Sequence, residues 1–206
     1  MEIFIGIDQS INSTGITIQK YQDNKLIKEN FYIIHKDKFT KKEKEAEDTL
    51  NNFNYIGYNK LEKADAKDSN EFELYKLLNN IEIVNKIFEL VKNNIESSLD
   101  KIYIGMEGVS YSSSVTQSII DLAGLSYLIR YRFYKFLESN QDHKGNLFVM
   151  SPKEIKKFAS GNGNANKDIM VKLFSSLYPQ LNIIPKVDDI SDSYWICCYT
   201  RKLANE

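Results

Sequence analysis

Hydrophobic positions alternate with a period of two from the start of the chain. Ile3, Ile5 and Ile7 share one side, Phe4 lies on the other, and the run stops at Asp8. Ile16 and Ile18 resume the alternation after a polar turn at 12–14, and residues 31–34 form a third run beyond Gln22-Asp23-Asn24. Together these runs predict a three-strand meander. Residues 36–69 break the pattern with balanced charges and few apolar positions. They predict a solvated insertion or a surface helical hairpin, with a substrate-contacting flap as the alternative.

At Glu71 the period changes to 3.6. Leu74, Leu77, Leu78, Ile81, Val84, Phe88, Val91 and Ile95 fall on one stripe, which predicts a long amphipathic helix. Ile102, Tyr103 and Ile104 give a short buried strand ending at Glu107. Ser112 to Ser114 can cap a second helix reaching about Leu137. Its apolar residues wrap most of the circumference, so it needs cover on two sides, by a sheet and by a partner subunit. Residues 147–150 predict another strand, and Ser151-Pro152 with Glu154 predicts a helix start. Gly161 and Gly163 end that helix, another runs from Asn166 to about Tyr178, and a last one runs from near Asp188 to about Leu203. The order βββαβαβ followed by helices points to a single α/β domain, residues 1–206, with a mixed sheet flanked by helices.

Composition narrows the classes. With 27 basic and 28 acidic side chains the formal net charge is −1, which argues against coating nucleic acid by bulk charge. Cys197 and Cys198 are adjacent and alone, which excludes a disulfide framework and a cysteine zinc site. No apolar run nears the ~20 residues of a bilayer span, and no charged-then-apolar leader opens the chain. The expectation is a soluble, cytoplasmic protein with no membrane partner.

Four carboxylates fall where a sheet-based site would put them. Asp8 and Glu107 end strands, and Asp189 and Asp192 are three apart at the start of the last helix, on one face. Converging acids repel unless a cation sits between them, and Mg²⁺ is the natural occupant. Singly, each acid also has a structural use: ending a strand, capping a turn, or favouring a helix N-terminus. Asp188, four before Asp192, satisfies helical geometry equally well. A second constellation spans 152–167. Between Lys153 and Lys172 five lysines face two acids, and Gly161 and Gly163 with a following helix N-terminus could cradle phosphate.

Gly6-Ile7-Asp8, Thr14-Gly15, Glu107, the 152–167 run and Asp189-Ile190-Ser191-Asp192, in that order, resemble the RuvC-type Holliday junction resolvases, particularly divergent phage- or virus-encoded members. The resemblance covers nearly the whole chain except 36–69. It implies an RNase H-like fold, a homodimer, and Mg²⁺-dependent (or Mn²⁺-dependent) paired nicking of a four-way DNA junction. It implies Asp8, Glu107, Asp189 and Asp192 as metal-binding catalytic acids, favouring Asp189 over Asp188 by its D-x-x-D register. Lys156 and Lys167 match the family's DNA-contacting lysines. Gln9-Ser10 replaces the family's Pro-Gly, and Tyr111 stands one residue late for a base-stacking aromatic.

Other RNase H-like nucleases, acting on flaps, forks or RNA–DNA hybrids, share these motifs. Actin- or sugar-kinase-like ATP-binding proteins share the opening strand, but this chain lacks their Asp-Gly-Gly loop. A non-catalytic DNA-binding relative would be burdened by four unneutralised acids. His35 and His143 have no ligand partners at metal spacing and read as packing or surface residues. Trp195, Cys197 and Cys198 read as core.

Overall fold

A computed structural model describes residues 1–109, 116–139 and 144–206. Six strands form one mixed sheet: β1 (Glu2–Asp8), β2 (Ser13–Gln22), β3 (Lys25–Lys36), β4 (Phe53–Tyr58), β5 (Lys101–Glu107) and β6 (Gly145–Met150). Their spatial order is β4-β3-β2-β1-β5-β6. The meander β1–β2–β3 is antiparallel, whereas β5 pairs parallel with β1, β6 with β5, and β4 with β3. The turn between β2 and β3 uses Asp23 and Asn24 at positive φ, 50° and 62°.

The helices are α1 (Lys41–Thr49), α2 (Ser69–Asn93), α3 (Gln117–Ser139), α4 (Pro152–Ser160), α5 (Lys167–Leu177) and α6 (Val187–Ala204). Strand alternation divides the core between the two faces of the sheet. Ile3, Ile5, Ile7, Ile16, Ile18 and Ile34 pack against Ile83, Val84 and Ile87 of α2 and Leu125, Ile129 and Phe133 of α3. On the other face Phe31, Ile33 and Phe53 meet Phe174 of α5 and Ile190 and Tyr194 of α6. Phe4 packs with Cys197, which is fully buried. Cys198 and Trp195 flank the same core, and His35 is a buried packing residue with Phe39 and Tyr55 edge-on to its ring. His143 lies outside the described residues.

Two expectations need correction. Residues 36–69 are neither a surface helical hairpin nor wholly solvated. They supply α1 and the sixth strand, and Phe53, Tyr55 and Tyr58 enter the core. The predicted stripe of α2 holds only in its second half. Leu74, Leu77, Leu78 and Ile81 are exposed, and the buried face is rotated toward Asn79, Asn80, Ile83 and Ile87. The cause is a polar clamp: Asn79 accepts from Leu61 N and donates to Leu61 O, both at 2.9 Å, so this face of the helix holds the incoming chain.

No helix among the described residues is long and apolar enough to cross a membrane.

Candidate active site

The sheet and α6 build the site together. Asp8 is the last residue of β1 and Glu107 the last of β5, one step beyond the Ile7–Met106 register pair. Adjacent strands lie about 4.8 Å apart, so two carboxylates at one level of neighbouring parallel strands are close by construction. Their site is at the C-terminal strand ends, where open α/β sheets place ligands. Gln9 binds the two strand ends: its Nε2 donates to Glu107 O at 2.7 Å. The departure from Pro-Gly at this turn therefore carries a specific hydrogen bond, and Thr14 Oγ1 closes the same turn by donating to Ser10 O at 2.8 Å.

α6 brings the other two acids, and its approach depends on two glycines. A Cβ on Gly6 would stand 2.1 Å from Ser193 O, and one on Gly15 would stand 2.1 Å from Asp189 O. Both obstacles are helix backbone, so only glycine lets α6 lie this close to β1 and β2. Thr17 Oγ1 and Ser193 Oγ, 2.9 Å apart, fix the helix further. Ser13 donates its hydroxyl to Asp189 Oδ2 and orients that carboxylate over the sheet. The sequence gives no signal for Ser13 beyond a polar residue in a turn.

The electrostatics show the four acids acting on one another. Burial pushes the Asp8 carboxyl well above the ordinary range, and Asp192, Glu107 and Asp189 push it further against the pull of Lys167. Glu107 is raised to about 7 by burial and then by Asp192, with Lys156 opposing. Asp192 is raised to about 6 by burial, with Asp188 and Asp189 adding while Lys167 and Lys156 oppose. Asp189 is also raised by burial, although Ser13, Lys186 and Lys167 hold it down. Asp188 differs. Burial works against its ionisation, but an ion pair with Lys167 at 2.5 Å prevails and leaves it below the usual value. Asp8, Glu107, Asp189 and Asp192 are thus linked by unfavourable charge and burial, whereas Asp188 is paired with Lys167.

Lys156 stands on α4 and lines a small cavity of about 60 Å³ with Glu107 and Asp192. Lys167 opens α5 behind the Asn166 cap, whose side chain accepts from Ile169 N at 3.0 Å. The predicted box at Ser151 and Glu154 caps α4. The phosphate-cradle role of Gly161 is corrected: its N–H already donates to Lys157 O at 2.9 Å, and its φ of 76° closes α4 in the left-handed conformation. Gly163 stands in the same connection, where an added Cβ would come 3.1 Å from Lys153 O. Tyr111 and the 112–114 cap lie outside the described residues.

The donor chemistry suits a hard divalent cation: four carboxylates whose charges burden one another, with the buried, unpartnered Gln9 Oε1 on the residue next to Asp8. Among the described residues no three His, Cys, Asp or Glu side chains stand together closely enough to hold a metal ion as they are.

No family model matches the sequence, and no curated protein does. Solved structures do. A RuvC structure from Thermus thermophilus aligns over 98% of this chain and 95% of its own, with a TM-score of 0.53 and 10% identity. The same organism's RuvC in complex with a Holliday junction substrate aligns over 100% and 96%, with a TM-score of 0.57 and 8% identity. The yeast mitochondrial Holliday junction resolvase Ydc2 aligns over 98% and 80%, with a TM-score of 0.51 and 14% identity. The mixed sheet, its flanking helices and this end-to-end correspondence agree with the motif order, and the chain has the α/β, RNase H-like fold of the RuvC structures.

Proposed function

We propose that the chain is a metal-dependent endonuclease that resolves four-way DNA junctions by hydrolysing one phosphodiester in each of two strands. The observation that carries this reading is the grouping of Asp8, Glu107, Asp189 and Asp192 at the C-terminal strand ends, with Lys156 and Lys167 beside them. The fold shared with RuvC bound to a Holliday junction substrate and with the yeast mitochondrial Holliday junction resolvase Ydc2 supports it.

Asp8, Glu107, Asp189 and Asp192 would hold Mg²⁺, with Mn²⁺ as a substitute, and the chemistry supplied there would be activation of water and neutralisation of charge on the departing oxygen. The protein's own residues do the positioning. Asp8 and Glu107 are anchored in the rigid sheet, Ser13 aims Asp189, and Gln9 keeps the two strand ends in register. Lys167, held protonated chiefly by its bond to Asp188, and Lys156 offer positive charge to the phosphate. Two symmetric nicks call for two copies of the site. The exposed outer face of α3, with Ile120, Tyr127, Tyr131 and Tyr134, is the surface for a second chain.

The test is incubation of the protein with labelled four-way, three-way, flap, linear and RNA–DNA hybrid substrates in Mg²⁺, resolved on a denaturing gel. Paired symmetric nicks confined to the four-way junction are expected. Preferential cutting of flaps, forks or hybrids would replace the substrate assignment, and no cutting of any would remove the nuclease.

A further inference from the structure

Beside the acids lies a cavity of about 300 Å³ lined by Asn12, His35, Lys36, Lys38, Thr40, Glu43, Lys60 and Lys186. At ~30 Å³ of liquid volume per water, that is room for a phosphate group and several waters. Most of its wall comes from the end of β3 and from residues 36–69. Four ammonium groups against the Glu43 carboxylate leave three net positive charges, in a chain whose total is −1. Among the described residues none of the four lysines has a carboxylate within 4.0 Å. Glu43 is already committed: its Oε2 accepts from Thr40 N at 2.7 Å in the capping box of α1.

A second, independent observation comes from His35. It is only 4% exposed, and its Nε2 has no hydrogen-bond partner. The nearest carboxylate oxygen, Glu43 Oε1, is 3.8 Å away, too far to serve. Burial works against protonation of the ring while Glu43 favours it, so an anion placed in the cavity would favour the charged imidazolium. Phe39 and Tyr55 pack against the ring at near-right angles. The surplus of positive charge on the wall suits a phosphate.

The surroundings relate this cavity to the four acids. His35 is the register partner of Ser13, the residue that aims Asp189. Lys186 immediately precedes α6 and acts on both Asp189 and Glu43. Lys60, just after β4, reaches the β1–β2 turn through Asn12 Oδ1 at 3.1 Å. The cavity therefore borders the acids on the β3–β4 side, while Lys156 borders them on the Glu107 side.

We propose that this cavity is a phosphate-binding subsite for a non-reacting backbone phosphate of the substrate DNA, formed largely by residues 36–69. The phosphate's identity as DNA rests on the nuclease reading above, whereas the cavity's preference for phosphate does not. The strand is held on both sides of the acids, by Lys156 on one side and by this cavity on the other.

Two measurements test it. The first is junction affinity in Ca²⁺ across a salt series, for the parent, for Lys36→Gln/Lys38→Gln/Lys60→Gln, and for a control of equal charge change, Lys25→Gln/Lys28→Gln/Lys144→Gln, away from the cavity. Losing one phosphate contact flattens the slope of log affinity against log salt by about 0.9. The affinity lost between 50 and 200 mM salt then shrinks by about threefold. The cavity variant should show this change and the control should not. Equal flattening in both, or none in the cavity variant, overturns the proposal while leaving junction binding by the parent intact. The second is a titration with inorganic phosphate followed by the ring nitrogen signals of His35, one of only two histidines in the chain. Saturable shifts of His35 that vanish in the cavity variant are expected. If they occur in a parent that binds no branched DNA, the nuclease reading fails and the cavity stands as a site for free phosphate. An unmoved His35 at saturating phosphate and an unchanged salt slope remove the subsite.

Discussion

Gly15→Ala would test how the last helix is seated. The added methyl carbon would stand 2.1 Å from Asp189 O and 2.7 Å from its carbonyl carbon, where ordinary contact begins at 3.4 Å. The obstacle is helix backbone inside a packed layer, so no side-chain rotation relieves it. α6 must withdraw by about 1.3 Å, or β2 must bend by as much. Overpacking of this kind costs about 1–3 kcal/mol. The same displacement moves Asp189 off Asp8, and a misplacement of about 1 Å at a catalytic group costs roughly 10²-fold in rate. Urea unfolding gives the first quantity and single-turnover nicking of a four-way junction the second. Gly124→Ala is the matched control. Its nearest foreign atom, Asn80 Nδ2, is 4.0 Å away, and it lies inside α3, so removing a helical glycine should stabilise by up to about 1 kcal/mol. A Gly15→Ala protein with the parent's urea midpoint and nicking within twofold of the parent would refute the seating argument.

Asp8→Asn should lower nicking by orders of magnitude while junction affinity in Ca²⁺ persists or tightens, and Asp188→Asn should retain much activity; near-normal cutting by Asp8→Asn would dismiss the acid cluster. Lys156→Ala with Lys167→Ala should weaken junction binding and flatten its salt dependence by up to about two contacts, read by anisotropy. Glu107, raised from 4.5 to about 7, and Asp192, raised from 3.8 to about 6, bind protons more tightly folded than unfolded. The stability they contribute is therefore present below about pH 4 and lost as pH rises to about 7, on the order of a few kcal/mol together. Thermal melts in EDTA should show that loss, and added Mg²⁺ should restore stability at pH 7.5 but not at pH 4.5. Light scattering should find twice the 23.9 kDa chain mass, reverting to one chain in Tyr127→Glu/Tyr131→Glu.

Elements with a strong local period were legible in the sequence. The alternation of β1 and the Asp at its end, the capping box of α4, and the Asn166 start of α5 all lie where the pattern puts them. β4 escaped because its six residues sit within a charged stretch and become a strand only through parallel pairing with β3, a partner that a local window does not see. The α2 stripe misled in its first half because leucine spacing carries no information about Asn79 and its clamp on Leu61. At the site, the motif order proposes the acids, and the residues around them came only with coordinates. Gly6 and Gly15 act through close approach to backbone 170 or more residues away, and Ser13 and Gln9 through single hydrogen bonds.

The seating of α6 also sets the order in which the molecule becomes itself. The β1–β3 meander needs only neighbouring sequence, so it can form as soon as it is made. The surface meant for α6, with Phe4, Phe31 and Ile33, stays bare until the last stretch of chain arrives, and Cys197 Sγ must find Phe4 O across a separation of 193 residues. An incomplete chain thus offers an open, oily sheet to any holdase or protease, and it has only half of its acids. Convergence of the four acids and burial of that sheet arrive in one event, so a nascent or damaged copy has no complete acid set before it is also a sound fold.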